Sequence, residues 1–282
     1  MTLIGILTAT LAVGIGSVWL AAGLMRLGFR GQGGAQTASQ VGPHHLLSLA
    51  AGALLATSFM HLLPEAFESE GPEVLFSVLL FGLVFFFLLD KAELWHHGHE
   101  HHQGEGEARA DGHAQQHAHG HQHEHESEHR LRSGAWAVLA GDSVHCFGDG
   151  ILIASAFVAD MRLGLVAALA VLAHEVPHHI GDLAVLRASS GNRRMALVKV
   201  SLAGAVTPLG GLVGWWLVDR LHDFLPFFLT VASSSFIYVA LADLIPQLQR
   251  RLTAIETALQ IFWLLVGIGL VTGASHLVHA TH

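Results

Sequence analysis

Residues 163–187 read LGLVAALAVLAHEVPHHIGDLAVLR, and this stretch decides how the chain must fold. It is long and apolar enough to cross a bilayer, which takes about 20 apolar residues in a helix. Its middle nevertheless holds His174, Glu175, His178, His179 and Asp182. Ionisable side chains at membrane depth are costly and turn towards a bundle interior or an aqueous cavity. The stretch therefore reads as a helix packed inside a helical assembly, not as a lone anchor. The run before it has the same character, with His145-Cys146-Phe147-Gly148-Asp149-Gly150 in its middle.

The rest of the chain agrees. Of 282 residues, 52% are hydrophobic and 13% charged, roughly half the charged share of a soluble domain. Runs of span length stand at about 3–25, 45–68, 73–92, 135–158, 163–186, 197–219, 226–247 and 257–279. The expectation is an all-α integral membrane protein, one domain over 1–282 with eight transmembrane helices. No basic residue precedes the first run and Arg26 follows it, the reverse of a secretory signal, so it reads as a retained span. Of the 14 Lys and Arg, only Arg162 and Arg220 lie outside the segments that follow spans one, three, five and seven. The positive-inside rule then puts both termini outside and residues 93–134 in the cytoplasm. With no cleaved leader and a bacterial-like compactness, an inner membrane is the expected location. The formal charge of −8 and the lack of clustered cations exclude a nucleic-acid partner. A single cysteine, Cys146, excludes an internal disulfide framework.

Histidine is the compositional anomaly, at 23 residues. Twelve fall in 93–134, among Gly, Glu and Gln. With almost no apolar side chains that segment reads as a disordered His-rich loop. Its imidazoles suit a loose buffer of divalent metal.

The span motifs carry the sharper chemistry. His145 and Asp149 are four apart, so on a helix they share a face about 5–6 Å apart. His174 with His178, Glu175 with His179, and His178 with Asp182 repeat that spacing. Two neighbouring helices that each present imidazole and carboxylate suit zinc and related divalent ions. Cys146 is either a soft ligand or a small buried filler. Pro177 removes the partner of the Ala173 carbonyl, and Pro64, Pro208 and Pro246 disturb their own spans in the same way. At membrane depth each such carbonyl needs protein, water or an ion. His61-Leu62-Leu63-Pro64-Glu65 and Asp243-Leu244-Ile245-Pro246-Gln247 echo one another, as would inverted halves formed by helices 1–3 and 6–8. His61, Glu65, Asp142, Asp182 and Asp243 are candidates to line a path to and from the centre. Gly210-Gly211-Leu212-Val213-Gly214 offers a small face for close packing.

These motifs resemble the signatures of the ZIP (Zrt/Irt-like) divalent-metal transporters. HCFGDG at 145–150 is similar to HNxPDG, and HEVPHH at 174–179 to HExPHE. FMHLLPEA at 59–66 and YVALADLIPQL at 238–248 resemble the same branch. The resemblance covers nearly the whole chain. It implies a transporter that moves zinc, or iron, manganese or cadmium, into the cytoplasm by an elevator-like alternating access. It implies a 3+2+3 helix arrangement, dimerisation, and Zn2+ as the transported and bound ion with no organic cofactor. Carried over by position, His145, Asp149, His174, Glu175 and His178 form the primary site. Three departures stand out: Cys146 for an asparagine, Gly148 for a proline, and His179 for the last glutamate. Thr207-Pro208 also stands where many bacterial members carry Glu-Pro and hold a second metal. One well-formed site is therefore expected, with Cys146 as an optional ligand.

Two other classes compete. HEVPH is formally HExxH, and an intramembrane zinc protease would use His174 and His178 as ligands, Glu175 as base and Asp149 as third ligand. Pro177 would distort that turn, and His145 and His179 would be surplus. A cation-diffusion exporter would use the pair His145 and Asp149, but such proteins usually have six spans and a soluble C-terminal domain.

Overall fold

The computed structural model describes residues 2–27, 43–98, 122–190, 192–249 and 253–280. Eight helices have the length and composition to cross a membrane: α1 (Thr2–Arg26), α2 (His44–Ser69), α3 (Pro72–Lys91), α4 (Leu139–Ala159), α5 (Met161–Arg187), α6 (Arg193–Arg220), α7 (His222–Leu248) and α8 (Ala254–Ala274). They match the eight runs read from sequence to within a few residues, and no strand occurs among the described residues. The helix that begins α3 continues to Gly98, and the helix that contains α4 starts at Gln122. The segment 93–134, read from sequence as disordered throughout, is thus helical at both ends. A helix already nucleated in the bilayer propagates at the cost of one residue per added bond. The stretch 99–121 lies outside the described residues.

Packing follows a pattern of exchange. Helix α2 packs on α8 and α3 on α7, while α1 packs on α6. The central pair α4 and α5 meet each other; α4 also packs on α6 and α7, and α5 on α1 and α2. Swapping α1 with α6, α2 with α7, α3 with α8 and α4 with α5 maps this set of contacts onto itself. That is the relation expected of two inverted three-helix halves around a central pair.

The proline echo confirms the register. A π-helical turn spans Ser58–Leu62 before Pro64, and another spans Val239–Leu244 before Pro246. Proline has no N–H and its ring collides with the carbonyl four residues back. The wide turn in front relieves this: the N–H of Leu63 reaches Ser58 and that of Ile245 reaches Ala240, five residues back in each case. Twelve residues before each proline stands a crossing point. Gly52 lies against the Leu264 backbone of α8, and Ser234 lies against Gly82 of α3.

The other prolines behave differently. Pro208 heads a fresh helix, Thr207–Arg220, after a break at Ala205 and Val206. Pro177 sits inside a helix that runs without interruption from Met161 to Ser190. The small face of α6 packs as read: Gly210 abuts the Phe147 backbone and Gly214 that of Ile151, both on α4.

Candidate metal centre

Helices α4 and α5 cross at mid-span with their polar faces together. The side chains form three groups, in each of which one ligand atom per residue lies within 4.8 Å of the others.

The first group is His145, Asp149, His174 and Glu175. His145 Nε2 lies 3.3 Å from His174 Nε2 and 3.2 Å from Glu175 Oε1. His174 Nε2 lies 3.2 Å from Asp149 Oδ2 and 3.5 Å from Glu175 Oε1. Four nitrogen or oxygen ligands at zinc distance stand about 3.3–3.4 Å apart along the edges of a tetrahedron, so the spacing fits one small cation. His174 Nδ1 faces the Ala170 carbonyl at 3.4 Å. Donation there leaves Nε2 with its lone pair turned into the group, the usual second-shell arrangement of a ligating histidine.

The second group is Asp142, Cys146, Glu175 and His179, all buried. Cys146 Sγ lies 3.6 Å from Asp142 Oδ1 and 3.7 Å from Glu175 Oε2. His179 Nε2 lies 3.5 Å from that Asp142 oxygen and 3.2 Å from Glu175 Oε2. A thiolate sits farther from zinc than an oxygen, which widens a sulfur–oxygen edge to about 3.5–3.6 Å. His179 Nδ1 is 3.0 Å from Ser17 Oγ, whose own hydrogen goes to the Gly14 carbonyl at 3.0 Å. The hydroxyl therefore accepts from Nδ1–H and leaves Nε2 bare towards the group. Glu175 joins the two groups, one carboxylate oxygen to each.

The third group is Asp142, His178 and Asp182. His178 Nδ1 lies 3.7 Å from Asp142 Oδ1 and 3.4 Å from Asp182 Oδ2. Across the three groups, Asp142 Oδ2, Asp149 Oδ2, Glu175 Oε1, His178 Nδ1, His179 Nε2 and Asp182 Oδ2 are buried without a hydrogen bond. Buried polar atoms normally have partners, and buried carboxylates need a compensating cation. Here the lone pairs converge at close range without hydrogen-bond geometry. These groups could hold divalent cations.

A sequence model described as "ZIP Zinc transporter" matches residues 2–274. The chain belongs to the ZIP zinc transporter family. Among curated proteins it is 32% identical over 143 residues to "Zinc transporter ZIP10" of Danio rerio, covering 48% of this chain and 17% of that protein. It is 38% identical over 116 residues to "Zinc transporter ZIP4" of Homo sapiens, covering 41% and 18%. To "Zinc transporter foi" of Drosophila melanogaster it is 32% identical over 137 residues, covering 48% and 19%. The chain thus matches less than a fifth of the length of each of these relatives. Family membership and the eight apolar helices make it a multi-pass membrane protein.

Set against the ZIP signatures, the central residues divide differently from the sequence expectation. Of the five expected in the primary group, four meet and His178 does not join them. Its Nδ1 turns to Asp142 and Asp182, whose two carboxylates draw the imidazole away, though its ring stays 5.3 Å from that of His145. Cys146 and His179 enter the second group, where one site with an optional Cys146 was expected. Asp142 is a shared corner of two groups. His61, Glu65 and Asp243 belong to none of the three groups. Glu65 lines an acidic pocket with Glu70, Asp223 and His222, and Asp243 is exposed and accepts from Gln247 Nε2 at 2.8 Å. Ser17 was missed, because one serine in an apolar span carries no spacing signal.

Proposed function

We propose that the protein carries divalent metal ions, zinc foremost, into the cytoplasm by alternating access through the α4/α5 centre. The observation that carries this is the first group. Two imidazole nitrogens and two carboxylates from two helices meet in the middle of membrane-length helices, with four of their separations, 3.2–3.5 Å, close to tetrahedral edges and the His145–Asp149 one wider at 3.9 Å. Imidazole and carboxylate suit zinc, iron and manganese alike; the names of the relatives favour zinc. The basic residues that follow α1, α3, α5 and α7 support outward termini, a cytoplasmic 93–134 segment and inward delivery. The second group, with a thiol in place of an amide, supports a resident second ion beside the transported one. Dimerisation remains a family expectation, and the His-rich segment a cytoplasmic metal buffer.

The geometry speaks against the protease reading. A metalloprotease needs both HExxH histidines on one zinc and a glutamate left over to activate water. Here His174 and His178 point into different groups, and both oxygens of Glu175 are engaged in the metal-ligand sets.

The test is uptake of Zn2+ and Cd2+ into proteoliposomes that hold a metal-sensitive dye. Wild type is compared with His174→Ala, with orientation fixed by protease access to 93–134. Flux in wild type that disappears in the variant is the expected outcome. Equal flux in both would discard the central site, and no flux with cleavage of a membrane substrate would favour the protease.

A further inference from the structure

The third group shares Asp142 with the second, yet it differs from the first in three respects. It is displaced along the helices: Asp182 lies eight residues beyond His174, about 12 Å along the axis, and Asp142 seven before Asp149, about 10 Å. Both displacements run towards the same membrane face, the one where α5 ends at Arg187 and the helix of α4 comes in from Gln122. Second, it offers three protein ligands where the other groups offer four. Third, it is open. The His178 side chain is 38% exposed, whereas every member of the second group is buried.

The group is also chemically unfinished. Asp142 is 3% exposed and its Oδ2 has no hydrogen bond; neither does Asp182 Oδ2 or His178 Nδ1. Two buried carboxylates share one imidazole, so a neutral histidine leaves two charges uncompensated in a low-dielectric place. Three ligands with a face open to water describe an exchangeable metal site rather than a closed one.

We propose that Asp142, His178 and Asp182 form a third divalent-cation site, a hand-over station between the centre and the cytoplasm. The proposal rests on the transport reading above for its direction, though not for the binding itself. His178 is the moving part. Its ring stands 5.3 Å from that of His145, the half-open corner of the first group, so the two groups meet on their exposed sides. The closed second group lies off this route, tied to it through Asp142 and Glu175. An ion leaving the first group meets His178 first, exchanges one imidazole for another, and gains water as it gains Asp182.

The experiment is cation protection of a thiol placed in the group by Asp182→Cys in the full chain. The native Cys146 is 1% exposed, and the parent protein measured alongside gives its labelling. In detergent, Cd2+ is expected to slow alkylation by a water-soluble maleimide roughly tenfold. Protection should vanish in a His178→Ala background and persist in a His174→Ala background. No protection, or protection indifferent to His178→Ala, overturns the proposal. Should the thiol variant fail to elute as a folded species, flux decides. Asp182→Asn is expected to lower maximal Zn2+ flux roughly tenfold at a little-changed half-saturating concentration, and Asp182→Glu to restore most of it. Unchanged maximal flux in Asp182→Asn overturns the hand-over role. Normal flux in His174→Ala with protection intact would instead remove the transport reading and leave the third site standing.

Discussion

Helices α3 and α5 are both membrane-length, yet they live in different solvents. Residues 75–89 of α3 contain no ionisable side chain, and only 11% of its most apolar window is buried. Helix α5 holds three histidines, a glutamate and an aspartate in its middle, and 72% of its apolar stretch is buried. In water the order would be reversed, with the most apolar helix innermost. In lipid the hydrocarbon is the solvent, and backbone or side-chain polarity must be satisfied by protein. The two least apolar helices, α4 and α5, therefore mark the centre, and the most apolar one, α3, lies with α8 at the rim. Polarity becomes a map of distance from lipid.

That contrast can be broken by substitution. At the centre, His174→Ala is expected to reduce metal flux at least about a hundredfold, since it removes the ligand common to three of the four close pairs of the first group. Proteoliposome uptake checks it, and retention of even half the flux would contradict the central placement. Helix α8 sharpens the comparison within a single rim helix. Gly267 abuts the Leu49 backbone while Gly269 has nothing within 4 Å. Gly267→Leu should destabilise by about 1–3 kcal/mol through overpacking, with Gly269→Leu nearly silent; thermal unfolding in detergent compares them.

Two further substitutions probe the closed second group. Cys146→Ser should remove the ultraviolet charge-transfer band of bound Cd2+ in that group, and Ser17→Ala should shift its titration midpoint by roughly tenfold. A band that survives Cys146→Ser would place the thiol outside the ligand set. Smallest of all, Phe81→Ala on the rim, 70% exposed, should change stability by less than about 0.5 kcal/mol and leave flux unchanged.

The spans, their number and the central pair of helices were legible because each rests on local rules: run length, and residues four apart on one face. The division of ligands was not. His178 and His179 are neighbours in sequence and point about 100° apart on a helix, so spacing alone cannot say which group each joins. The prolines show the same limit. Each announces a disturbance, yet Pro64 and Pro246 are met by a wide turn, Pro208 by a break and Pro177 by an uninterrupted helix. Which occurs depends on neighbours that local sequence does not name. Ser17 fixes His179 from a helix far away in the chain, and only tertiary packing brings the two together.

The exchange pattern of the helices has a consequence for how the protein is made. Gly52 of α2 finds its seat on α8, and Gly82 of α3 finds its own on α7. As the chain is inserted from its N-terminus, the first three helices enter the bilayer with their closest contacts still unsynthesised. The first must wait for α5 and α6, and the second and third for the last two helices, so packing comes after insertion rather than with it. The two halves are laced through one another, so neither can mature alone, and a ribosome that stalls before α7 leaves small-residue faces open to any helix that drifts past.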